Sequence, residues 1–174
     1  MIKLISIVPA LLSLTLLASC GGGGNESGAA TTPPITTTPP AIATPDASRY
    51  VGTWADCFQT GAATSTRETV VISAQSSSSV TFSNTETPYA TLACAGKAGS
   101  PVTTTGSVTF NGTKTVGTDT VDKGIVTEGT TAPRKQIFLV TATTLKSGRS
   151  VQDGGSVDAD GYPTSFDSGT LGKQ

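Results

Sequence analysis

The densest run of oxygen-bearing side chains is Ser156-x-Asp158-x-Asp160-Gly161, with Asp167 at position twelve when Ser156 is counted as the first. Ligands at alternate positions, a glycine at the sharp turn and a closing carboxylate are the spacing of a calcium-binding loop, because a hard cation needs several oxygens drawn round one tight bend. Asp158, Asp160 and Asp167 are therefore candidate calcium ligands, and no other cofactor is expected. Pro163 and the lack of flanking helix signals leave a second reading, a turn whose Asp side chains bond their own backbone. A different chemistry, glycoside hydrolysis, needs two carboxyl groups about 5 to 10 Å apart. Asp56, Glu68, Asp119, Asp122 and Glu128 are available for it, but their places beside Lys and Thr read as a solvated outer face. The chain has no histidine, which removes the Ser-His-Asp and Cys-His nucleophiles and His-ligated zinc. Charged residues make up 13% of the chain and net charge is -1, so Arg67, Lys97, Lys114, Lys123, Arg134 and Lys135 read as scattered surface charge and no nucleic-acid partner is expected.

These groups need a frame, and the sequence offers strands. No segment keeps an apolar 3.6-residue period over a helical length, whereas short β-type runs separated by turn residues follow one another. The runs are Tyr50 to Phe58, Ser65 to Ser73, Ser79 to Ser83, Tyr89 to Ala95, Val102 to Phe110, Lys114 to Thr127, Arg134 to Ala142 and Thr144 to Lys146. Asn111-Gly112 after Phe110 is a two-residue hairpin signal, since type I′ turns need positive φ at both central residues. Sequential hairpins without helical crossovers predict an all-β fold, an up-and-down antiparallel β-barrel of about eight strands, whose closure removes the exposed edges. Alternation turns Val70, Ile72, Val80, Phe82, Leu92, Val108, Phe110, Ile137 and Leu139 inward. All the aromatic residues lie beyond residue 48, so the barrel domain is 48–174, which is 174 minus 47, or 127 residues.

The chain ahead of the barrel reads as address and tether. Lys3 followed by the apolar run Leu4 to Ala18 is too short for a bilayer core, which takes about 20 residues, and fits a signal peptide over 1–19. Leu17-Ala18-Ser19-Cys20 resembles the lipobox of bacterial lipoproteins. That resemblance implies cleavage before Cys20, thioether lipidation and N-acylation of Cys20, and hence a membrane as partner. Gly21 in the following position implies the outer membrane, with the domain in the periplasm or at the cell surface. Residues 20–47 then form a disordered linker: Gly21 to Gly24 is a flexible coil, and the Thr/Pro stretch with Pro33-Pro34 and Pro39-Pro40 is an extended spacer of up to about 3.1 Å per residue. With Cys20 lipidated, Cys57 and Cys94 remain as an even pair in an oxidising compartment, and a disulfide between them is expected.

Tyr50-Val51-Gly52-Thr53-Trp54 resembles the opening strand of lipocalins and, in its Gly-Thr-Trp form, of avidin-like barrels. The resemblance implies an up-and-down barrel able to hold a small ligand, with Gly52 and Trp54 as the barrel-end anchor and Arg134 or Arg149 packed against the Trp. The overall layout, including the terminal Asp158-Ala159-Asp160-Gly161-Tyr162-Pro163 segment, also resembles a group of small uncharacterised bacterial lipoproteins, which implies location and architecture but no activity. The expected protein is a membrane-anchored lipoprotein whose non-enzymatic barrel has a structural or interaction role, its partner an envelope protein. The alternatives are a lipocalin-like carrier of a small apolar ligand and an envelope enzyme using a carboxylate pair. Carrier and solid barrel part on the interior: a carrier needs a cavity of roughly 300 Å³ or more.

Overall fold

Eight antiparallel strands close into a barrel in the computed structural model, which describes residues 45–174. The expected signal peptide, Cys20 and the linker as far as residue 44 lie outside the described residues. The strands are β1 (Gly52–Gln59), β2 (Ser65–Ser76), β3 (Ser79–Tyr89), β4 (Val102–Val116), β5 (Asp119–Glu128), β6 (Arg134–Val140), β7 (Thr144–Ser147) and β8 (Leu171–Lys173). Each pairs with the next, and β8 returns to β1 through Trp54 opposite Lys173. The all-β, up-and-down barrel expected from periodicity and turn spacing is thus the fold.

Two expected elements are corrected, and one strand is added. Asn111-Gly112 is no hairpin turn: β4 runs straight through it, with Phe110 opposite Gly124 and Gly112 opposite Lys123, leaving Asn111 bulged. Gly112 spends its positive φ of 129° on that bulge, while Asn111 keeps an ordinary φ, and the reversal falls instead at Gly117, whose φ is 61°. A bulge bends a long strand and strengthens its twist, which a small barrel needs in order to close. Tyr89 to Ala95 is not a strand either. β3 ends at Tyr89, and the chain then loops through Cys94, the only described non-glycine residue with positive φ. Ser65 stabilises that loop, donating through Oγ to the Thr91 carbonyl (2.6 Å) and accepting from the Cys94 N–H (3.0 Å). The strand that completes the eight is β8, three residues long and too short to carry a period.

The barrel is filled from one end. The 3₁₀ turn Ala47–Tyr50, capped by Asp46 accepting from the Ser48 N–H at 2.9 Å, packs buried Ala47 and Tyr50 beneath the strands. Tyr50 stacks on Phe110 at 4.6 Å, and Phe138 meets both rings edge-on. Above them lie Val70, Ile72, Val80, Val108, Val126 and Leu145. A second cluster sits on the outer side of β5 and β6. There Val121, Ile137 and Leu139 are covered by Tyr162 and Phe166 from the segment that follows β7. Ile137 and Leu139, expected to face inward, therefore face outward, and the residues that line the interior from β6 are Arg134, Gln136 and Phe138. Leu92, also placed inside by alternation, stands 52% exposed in the loop after β3.

Candidate functional site

The interior of the barrel is not full. A cavity of about 390 Å³ opens above the aromatic floor, walled by apolar side chains that include Val70, Ile72, Val80, Phe82, Val108 and Leu145. Its size follows from the side chains that could have filled it. Gly106 and Gly124 occupy inward positions on β4 and β5 where a Cβ has no room: at Gly106 it would lie 2.7 Å from Phe82 Cζ, and at Gly124 2.7 Å from Val108. Phe82 and Val108 take up the space that side chains at these two positions would need.

The floor is sealed by polar bonds. Trp54, fully buried, donates its indole N–H to the Tyr50 carbonyl at 2.8 Å. Tyr50 in turn donates its hydroxyl to the Asp122 carboxylate, which is also paired with Arg49. Burial, and then the bond to Asp122, push the Tyr50 hydroxyl far above the ordinary tyrosine range. Asp122, expected on a solvated outer face, is thus a buried structural anion whose acceptor oxygen is used by two donors.

The mouth is polar. Glu68, Asn84, Glu128, Arg134, Ser147 and Asp167 line its upper part. Glu128 and Arg134 form a two-bond ion pair, with Arg134 Nη2 3.0 Å from Glu128 Oε1. Glu68 accepts from the Asn84 amide at 2.9 Å. Burial raises the Glu68 carboxyl above its usual range; the Asn84 bond opposes this, while the charges of Glu86, Asp167 and Asp56 add to it. Glu68 and Glu128 are therefore interior groups, not the outer-face charges their Lys and Thr neighbours suggested. The signal was in the sequence: Glu68 shares the two-residue phase of Val70 and Ile72, as Asn84 shares that of Val80 and Phe82 and Glu128 that of Val126.

The remaining expected site residues are distributed as follows. Gly52 takes a φ of 139° at the entry to β1, with Lys173 against it. The cation over the Trp54 ring is Lys173, at 5.1 Å. It is not Arg134, which pairs with Glu128, nor Arg149, which bonds the Asp153 carbonyl at 2.8 Å. Cys57 and Cys94 are joined as expected, tying β1 to the loop after β3. Asp158 and Asp160 sit in a closed turn outside the barrel. The Asp158 carboxylate pairs with Lys114 and accepts the Tyr162 N–H at 2.9 Å, and the Asp160 carbonyl accepts from Lys135. The Lys114 bond, and then the Tyr162 N–H, hold the Asp158 carboxyl below its usual range. Asp167 lies apart from this turn, at the cavity mouth, its N–H bonded to the Ser147 carbonyl at 3.0 Å. Among the described residues no three carboxylate, cysteine or histidine side chains gather as a metal-binding group.

Three of the lysines that read as scattered charge in fact fasten the outer segment. Lys114 holds Asp158, and Lys123 and Lys135 stand 5.2 and 5.4 Å from the centre of the Tyr162 ring. The Tyr162 hydroxyl accepts from the bulged Asn111 at 2.7 Å, which gives the bulge a packing role. The chain matches no protein-family model, no curated protein and no solved structure.

Proposed function

We propose that the domain is a non-enzymatic carrier of a small, largely apolar ligand, held at the outer membrane through a lipidated Cys20. The observation that supports a carrier over a solid structural barrel is the cavity of about 390 Å³, above the roughly 300 Å³ at which such a pocket accommodates a small molecule. An apolar wall with a few polar groups at one end is the usual form of such pockets, the wall supplying affinity and the polar groups orientation. Of the candidate carboxylates, Glu128 is engaged in a two-bond ion pair by Arg134 and Asp122 by Arg49 and Tyr50, which makes each a poorer nucleophile or proton donor.

Native mass spectrometry of the protein purified from its host tests the proposal. The expected spectrum contains, beside the lipidated chain, a population heavier by one small molecule. Protein that emerges only as the bare chain, and that fails to take up an apolar fluorescent probe, would overturn the carrier reading.

A further inference from the structure

On the carrier reading, the mouth of the cavity also specifies the ligand's charge. Asp56 stands directly opposite Glu68 across β1 and β2, and Glu68 directly opposite Glu86 across β2 and β3. Residues paired this way share a face of the sheet with Cβ atoms about 4.5 to 5.5 Å apart, and like charges so placed destabilise it. Three carboxylates thus form one row across three strands, and Asp167 adds a fourth from the segment at the mouth. The fold does not balance the row. The charges acting on Glu68 are all carboxylates, and the one cation lining the cavity, Arg134, is taken by Glu128.

An independent observation lies beside this row. Asn84 gives its amide N–H to Glu68, which fixes its orientation and leaves Oδ1 fully buried; among the described residues this is the only buried side-chain polar atom with no hydrogen-bond partner. A buried acceptor without a donor is costly and rare in native structures. Asn84 lines the cavity, so a turn of its amide out of the wall would bring this oxygen to a donor carried by the occupant. Cationic charge and N–H donors are both properties of an ammonium group. Three of the carboxylates lie along a row with Asp167 to one side, and they do not converge as a metal site among the described residues, which suits a substituted ammonium better than a bare metal ion.

We infer that the cavity takes an amphiphilic amine, its apolar body against the aliphatic wall and its protonated ammonium head between Glu68 and Asn84, with Asp56, Glu86 and Asp167 supplying the surrounding negative field. Complementarity of this kind discriminates more than it binds, since a carboxylate head in the same place meets a row of like charges.

The test is calorimetric titration of the exported Cys20→Ala chain, free of detergent, with decylamine, decanol and decanoic acid near neutral pH. These three share one apolar body and differ in head charge. Decylamine is expected to bind most tightly and decanoate least. Glu68→Gln should reduce the advantage of decylamine over decanol by about tenfold, and exposed Asp167→Asn should reduce it in the same direction without burdening the fold. Equal affinity for decylamine and decanol, or a preference untouched by both variants, would overturn the charge assignment and leave the carrier reading standing. Failure of all three probes to bind would overturn the carrier reading itself.

Discussion

Replacing Trp54 tests the architecture most directly, because floor and barrel closure meet at that residue. Trp54 is fully buried, its indole N–H satisfies the Tyr50 carbonyl, Lys173 lies over its ring, and its backbone faces Lys173 across the β1–β8 seam. A buried aromatic ring removes about 150 to 250 Å² from water, which at about 25 cal/mol per Å² is roughly 4 to 6 kcal/mol before the retained methyl of alanine is subtracted. The orphaned Tyr50 carbonyl adds about 1 kcal/mol or more, and loss of the exposed Lys173 cation–π contact about 0.5 kcal/mol. Partial collapse of the floor returns some of this, so Trp54→Ala should lose about 3 to 5 kcal/mol, a large fraction of the roughly 5 to 15 kcal/mol that holds a domain folded. Trp54→Phe keeps most of the ring and loses the N–H, and should cost about 1 to 3 kcal/mol. Urea unfolding followed by circular dichroism reads both, since the variants lack the chain's single Trp and with it the usual fluorescence signal. A Trp54→Ala chain within about 1 kcal/mol of the parent would refute the view that this ring carries the floor.

Cys20→Ala should move the protein from the membrane to the soluble fraction with its circular dichroism intact; membrane-bound Cys20→Ala protein would refute anchoring through that residue. Reducing the Cys57 to Cys94 bond, which spans a sequence separation of 37, should lower unfolding free energy by about 4 kcal/mol on chain-entropy grounds, and an unchanged urea midpoint under reductant would contradict this. The raised Glu68 carboxyl means that the folded chain binds that proton more tightly than the unfolded chain does. The stability linked to it is therefore fully present below the ordinary glutamate range and is lost as pH rises through the raised folded value. The parent should accordingly lose ground to Glu68→Gln as pH rises through that window, and a stability difference that does not change with pH would show Glu68 to be unperturbed.

The barrel was legible because closure depends on features a sequence displays: runs of alternating residues, short turns and no crossover helices. What escaped was whatever depends on one segment lying over another. Ile137 and Leu139 keep strand alternation, but alternation names two faces without saying which is inside. The covering segment with Tyr162 and Phe166 gives β6 an apolar outer face, so the phase was inverted there. Asp122 was misplaced for the same reason: its neighbour Val121 is buried on the outside, and Asp122 is left to face Tyr50 and Arg49. The Asn111-Gly112 signal failed because a positive φ at glycine serves a bulge as well as a turn, and the pairing with β5 chose the bulge.

The cavity was harder to read, since its volume is set by strand number and tilt together with the residues that decline to fill it. Yet its polarity was written in the same phase as its walls. Along β2 the inward residues pass from Ile72 and Val70 to Glu68, along β3 from Val80 and Phe82 to Asn84, and along β5 from Val126 to Glu128. Each strand thus runs from apolar to polar towards the same end of the barrel. A barrel filled for stability alone has no use for this gradient, because carboxylates brought towards the interior lose hydration that an aliphatic residue would not miss. Local rules broken without compensation within the fold tend to mark functional sites. Here they coincide: the raised Glu68, the unanswered Asn84 oxygen and the open volume occupy one end of one cavity, while the opposite end, with Trp54, Tyr50 and Asp122, has its buried polar groups bonded.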